Sequence, residues 1–117
     1  TSRDSGDILG ALVSMTPTEE SVINHWRVYI AFWQRAGHDP EFAAEQQRGL
    51  EFARDQIAAI IKNNRGDHPN IPIVARHLIA LIHGIAVQVL FDPKAWSTEE
   101  ITNTLARELD FLLQQHC

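Results

Sequence analysis

Apolar residues recur along the chain every three or four positions, and glycine or proline interrupts them at regular intervals. That period stacks apolar side chains on one face of a helix. No stretch alternates strictly with a period of two, so the pattern predicts an all-α domain of five helices. The first covers roughly Asp4 to Ser14, with Ile8, Leu9, Leu12 and Val13 apolar. "TPTE" supplies start grammar for the second, with Thr16 as N-cap, Pro17 at the first helical position and Glu19 three residues after the cap. That helix runs to about Ala36 and is closed by Gly37. Val22, Trp26, Tyr29, Ile30 and Trp33 form its main stripe, and His25, Val28 and Phe32 a flanking strip.

"DPEF" repeats the grammar, with Asp39 capping and Pro40 leading the third helix. Its core side carries Phe42, Leu50, Ala53, Ile57, Ile60 and Ile61, and the turn-rich "KNNRGDHPN" ends it. A fourth helix begins near Asn70 or Pro72 and reaches Phe91. "DPKAWSTEE" breaks the chain, and Ser97 with Glu100 forms a capping box for the last helix, about Thr98 to Gln115. That helix is expected to bury Ile101, Leu105, Leu109, Leu112 and Leu113. Short connections between long helices imply orthogonal or antiparallel packing.

The fourth helix is the least ordinary. At about 100° per residue, Ala75, Leu78, Ile79, Leu81, Ile82, Ile85, Ala86 and Val89 fill one broad face. Opposite lies a narrower strip of Ile73, Ala80, Gly84, Val87 and Phe91, bordered by Arg76 and His83 on one edge and His77 and Gln88 on the other. The strip has coiled-coil-like spacing. Small residues at Ala80 and Gly84 would let a second backbone approach closely. Two apolar faces divided by polar seams imply two partners, the chain's own core and a second copy of the chain. The last helix adds Phe111, which points away from its leucine stripe beside Thr104 and Arg107. The expected homodimer interface is therefore Ile73, His77, Ala80, Gly84, Val87, Phe91, Thr104, Arg107 and Phe111. The competing arrangement is a monomer whose fourth helix is surrounded by the other four.

Length and composition narrow the picture. The 117 residues suit a single domain spanning the whole chain, 44% apolar and 21% charged, with a net charge of −5 and no basic cluster to grip a phosphate backbone. The stretch His77–Phe91 carries His and Gln and is expected to be too short to span a bilayer, so no membrane partner is expected. A lone cysteine, Cys117, excludes an internal disulfide and suits a reducing cytoplasm. The sequence opens with Thr1 and its only methionine is Met15, so either a preceding segment is missing or the chain is a processed protein.

Candidate chemistry is sparse. The six histidines form no recognisable metal motif, and no serine elbow or glycine-rich phosphate loop occurs, so neither a metal, a cofactor nor an enzymatic activity is expected. What stands out is aromatic density. Trp26, Tyr29, Phe32 and Trp33 lie within two turns, and Phe52 comes from the next helix. They are either ordinary core or the wall of a pocket, in which the Tyr29 hydroxyl, the tryptophan nitrogens, Gln56 and His83 would orient a small hydrophobic, aromatic or cationic effector.

The segments "HWRVYIAFWQRAGHDPEFAAEQQRGLEFARDQIAAII", "ARHLIALIHGIAVQVLFDPKAWSTEEI" and "LARELDFLL" resemble the C-terminal regulatory domain of tetracycline-repressor (TetR) family regulators, closest to the BetI-like branch. The resemblance runs from about Met15 to the end. It implies a homodimer through the last two helices and a ligand pocket around Trp26, Phe52 and Ile82. Ile30 joins these and the residues above in the candidate ligand set of Trp26, Tyr29, Ile30, Trp33, Phe52, Gln56, Ile82 and His83. It also implies release of operator DNA when the effector binds, through an N-terminal helix-turn-helix domain absent from this chain. The alternative is a stand-alone helical dimer that binds a protein partner.

Overall fold

Helix ends set the course of the chain. In the computed structural model residues 2–117 are described, with side chains from Ile8 onward. The helices are α1 (Ser2–Ser14), α2 (Glu20–Ala36), α3 (Pro40–Arg65), α4 (Ile71–Phe91) and α5 (Thr98–His116), with a 3-10 turn at Pro93–Ala95. Among the described residues there is no strand. The expected all-α, five-helix architecture is the observed one.

Two of the expected caps form. The Asp39 carboxylate accepts from the Glu41 backbone N–H at 3.0 Å with Pro40 opening α3, and the Ser97 hydroxyl accepts from the Glu100 N–H at 3.1 Å. Each satisfies one of the orphan donors that every helix start leaves. Gly66 closes α3 at φ +88°, a left-handed value that other residues seldom adopt.

Thr16 does something else. Its hydroxyl donates back to the Val13 carbonyl at 2.6 Å and its side chain is buried, so it terminates α1, while α2 starts four residues later after Glu19 with no side-chain cap. The "TPTE" grammar is overridden because burying Thr16 against the α1 end removes its oxygen from the α2 amides.

α4 is the central helix, packed against α2, α3 and α5, while α1 lies on α3 and α5. Nine α4 residues are buried, Ile71, Val74, Ala75, Leu78, Ile79, Ile82, Ile85, Ala86 and Val89. Leu81, expected on the same face, is half-buried. Facing them are the fully buried Ile8, Leu12, Ile57, Ile61, Ile101, Leu105 and Leu109. All five α5 residues expected in the core are there. At its start, α4 is tied to the end of α5 by the Asn70 side-chain amide, which donates to the His116 carbonyl at 2.9 Å.

One expectation on this helix fails. α4 extends back through "IPIVAR" to 21 residues, long and apolar enough by length and composition to cross a membrane. Its buried face instead forms the centre of the bundle. A central helix covered on several sides has little need of polar positions, which is why its length and composition alone match those of a membrane span.

Candidate functional site

A cavity of 460 Å³ opens where the end of α1 meets α2, α3 and α4. α1 contributes Ser14 and Met15, α2 contributes Ser21, Val22, His25, Trp26 and Tyr29, α3 contributes Gly49 and Ala53, and α4 contributes His83. Its size is that of a small-molecule site, and none of these side chains is an acid, a lysine or an arginine. A second cleft of 320 Å³ continues beyond Tyr29 and Gly49 toward Phe32 and Phe42. A hollow of 490 Å³ on the outer surface has walls from α3 alone, among them Glu41, Glu45 and Arg48, and encloses nothing between elements.

Small residues on α3 make the room. Gly49 and Ala53 are one turn apart and face the rings of α2. A Cβ at Gly49 would meet nothing within 4 Å, although a mid-helix glycine costs about 1 kcal/mol relative to alanine. The α2 stripe supplies the opposite wall. Trp26 is buried and its indole N–H donates to the Met15 carbonyl at 3.0 Å, fixing the α1 end against α2.

His83 stands at the focus of the aromatic residues. Its ring meets Trp26 edge-on at 5.1 Å and Tyr29 at 5.9 Å, and stacks on Trp33 at 5.8 Å with the planes 10° apart. Nδ1 lies 2.9 Å from the Ile79 carbonyl. A carbonyl only accepts, so Nδ1 carries the proton, and in the neutral ring Nε2 presents a lone pair. That Nε2 is buried and has no hydrogen-bond partner among the described residues. Leaving such an acceptor unmatched costs about 1–3 kcal/mol.

Burial disfavours the imidazolium and holds the His83 pKa below the usual 6.5, against the smaller opposing pull of the Ile79 carbonyl. The unfolded chain therefore takes up this proton more readily than the folded one. The resulting stability is present above about pH 6.5 and is lost as the pH falls through the lowered folded value. His83→Gln is expected to reduce the fall in urea midpoint between neutral and mildly acidic solution. An unchanged acid slope in the variant would exclude His83 as its source.

Of the candidate ligand residues, Trp26, Tyr29 and His83 come together on the cavity wall. Trp33 stands behind His83 as its stacking partner, and Ile30 packs against the core. Ile82 is fully buried, one residue away from His83 but turned into the bundle. Gln56 lines a separate hollow of 350 Å³ on the other side of Met15. Phe52 is 64% exposed, because its position around α3 falls off the stripe of Leu50, Ala53 and Ile57. The Trp26 nitrogen, expected to orient a ligand, is already engaged with Met15. Sequence reasoning missed Ser14, Met15, Ser21, Val22, His25, Gly49 and Ala53 as lining. Glycine and alanine four apart inside a long helix were the one signal that could have revealed them.

The second face of α4 is open. Ile73 is 43% and Phe91 81% exposed, Ala80 and Gly84 are exposed, and Val87 is half-buried. On α5, Phe111 is 57% exposed, Arg107 exposed and Thr104 half-buried. His77 stacks on His116 within the chain at 6.1 Å, and the Gln88 carbonyl oxygen accepts from the Trp96 indole at 3.0 Å. His77 and Gln88, the polar residues of one edge of the strip, thus have partners of their own.

The chain that folds into these five helices, α4 central among them, matches one family model, the C-terminal domain of BetI-type transcriptional repressors, over residues 7–114. The chain belongs to that family. The fold of this BetI-type domain is shared by a transcriptional regulator from Rhodococcus sp. Rha1, whose crystal structure superposes with a TM-score of 0.83 at 21% identity. The match covers 97% of this chain and 59% of the Rhodococcus chain, so the BetI-type domain spans less than two thirds of that regulator. No match was found among curated proteins. The domain is thus the C-terminal regulatory type found in transcriptional regulators, as the sequence resemblance implied.

Proposed function

We propose that this domain binds a small, largely apolar effector in the cavity between α1, α2, α3 and α4, and that it works as a homodimer. The observation that carries the reading is the uncharged cavity itself, walled by Trp26, Tyr29 and His83 and made roomy by Gly49. A module that only bound a protein partner would have no use for that space. The open strip of Ile73, Ala80, Gly84, Val87 and Phe91 supports pairing with a second copy.

Coupling follows from the position of Met15. It ends α1, lines the cavity and is held by Trp26, so an occupant that displaces Trp26 shifts α1. Effector and DNA would then be linked by population shift, with coupling of about 1–3 kcal/mol. Operator DNA would be contacted outside this chain, in a cytoplasmic repressor released by its effector.

The test uses N-phenylnaphthylamine, a neutral dye that brightens in apolar sites. Wild type is expected to bind it saturably, and Gly49→Leu to fill the cavity and abolish binding while the thermal midpoint stays equal or rises. Undiminished binding by the folded variant would place the dye elsewhere and reject this site.

A further inference from the structure

We propose that the effector is a neutral molecule with an apolar body and a hydroxyl or N–H group that donates to Nε2 of His83. The inference rests on the reading of the cavity as an effector site and names the chemistry that site selects.

Three observations converge on it. The Ile79 carbonyl fixes the tautomer, so Nε2 of the neutral ring can only accept. Among the described residues that atom has no partner, and it has no solvent contact, although buried acceptors are almost always matched. The nearby tryptophan donor, Nε1 of Trp26, is already spent on Met15. No described residue donates to it, so the partner we infer is a donor from outside the chain, and His83 is one of the residues that line the cavity.

Charge decides against the other classes of effector. No carboxylate lines the cavity to balance a cation, and no lysine or arginine to balance an anion. An open aromatic cage is also lacking. Trp33 lies against the His83 ring, and Trp26 meets Tyr29 edge-to-face at 5.4 Å with the planes 79° apart, so these rings are turned onto one another. Burial keeps the His83 ring neutral, which preserves the acceptor at neutral pH.

The experiment compares indole with N-methylindole, which has the same ring system and no N–H, by calorimetry on the full wild-type chain. Indole is expected to bind about tenfold more tightly, the worth of one buried hydrogen bond. His83→Phe, which keeps a ring against Trp33, is expected to bring the two affinities together. On wild type, indole should also move the ¹⁵N resonance of His83 Nε2 upfield, as an accepted hydrogen bond does, while N-methylindole should not. Equal affinities in wild type, or failure of indole to displace N-phenylnaphthylamine, overturns the donor inference and leaves the effector site standing. Tighter binding of benzyltrimethylammonium than of indole overturns the neutral class. If N-phenylnaphthylamine itself does not bind, the effector site falls and the inference with it.

Discussion

Replacing Gly84 with leucine is expected to leave the domain folded and to turn a dimer into monomers. Gly84 sits on the exposed strip of α4, and a Cβ built there meets nothing within 4 Å in its own chain. Leucine is also a better helix former than glycine by about 1 kcal/mol, so the isolated fold gains rather than loses. The cost falls on a neighbouring copy, whose backbone would otherwise approach at Ala80 and Gly84. Overpacking such a contact costs about 1–3 kcal/mol, roughly a 5- to 150-fold weaker association. Sedimentation equilibrium beside a thermal melt separates the two effects. An unchanged dimer mass from a well-folded variant would remove this strip from the interface.

Trp26→Ala is expected to have the largest effect on stability. The side chain is buried, and truncating a buried tryptophan costs about 3–5 kcal/mol, a large share of the roughly 5–15 kcal/mol that holds a domain together. Part of that loss comes from the Met15 carbonyl, whose indole donor disappears. Trp26→Phe isolates this part. It keeps an aromatic ring against His83 but leaves Met15 unmatched, at about 1–3 kcal/mol. Urea midpoints should rank wild type above Trp26→Phe above Trp26→Ala. A phenylalanine variant as stable as wild type would show that the Met15 link adds nothing.

How much of this could be read from the sequence depends on the range over which each residue acts. Asp39, Pro40 and Ser97 act on amides two or three residues away, and their caps form as expected. The leucines of α5 repeat with the helical period and reach the core together. Thr16 carries the same local signal, yet tertiary burial turns its hydroxyl back to Val13. Phe52 shows the complementary error. An aromatic residue invites a buried role, but its angle around α3 points it outward. The cavity was the least legible feature because it is made by absence, at Gly49 and Ala53, and its α1 wall comes from residues with no aromatic signal. The His83 tautomer needed the distance to Ile79, which helix geometry brings within reach only once the side-chain rotamer is known.

The three tryptophans are divided between two stations. Trp26 and Trp33 flank the His83 ring at the cavity, whereas Trp96 is hydrogen-bonded to Gln88 beside the open strip of α4. Indole emission responds to the polarity and the quenchers around each ring, so the chain carries its own optical reporters. Replacing Trp96 with phenylalanine would leave emission governed by cavity occupancy. Replacing Trp26 and Trp33 instead would leave a single lamp beside the surface where two copies are proposed to meet.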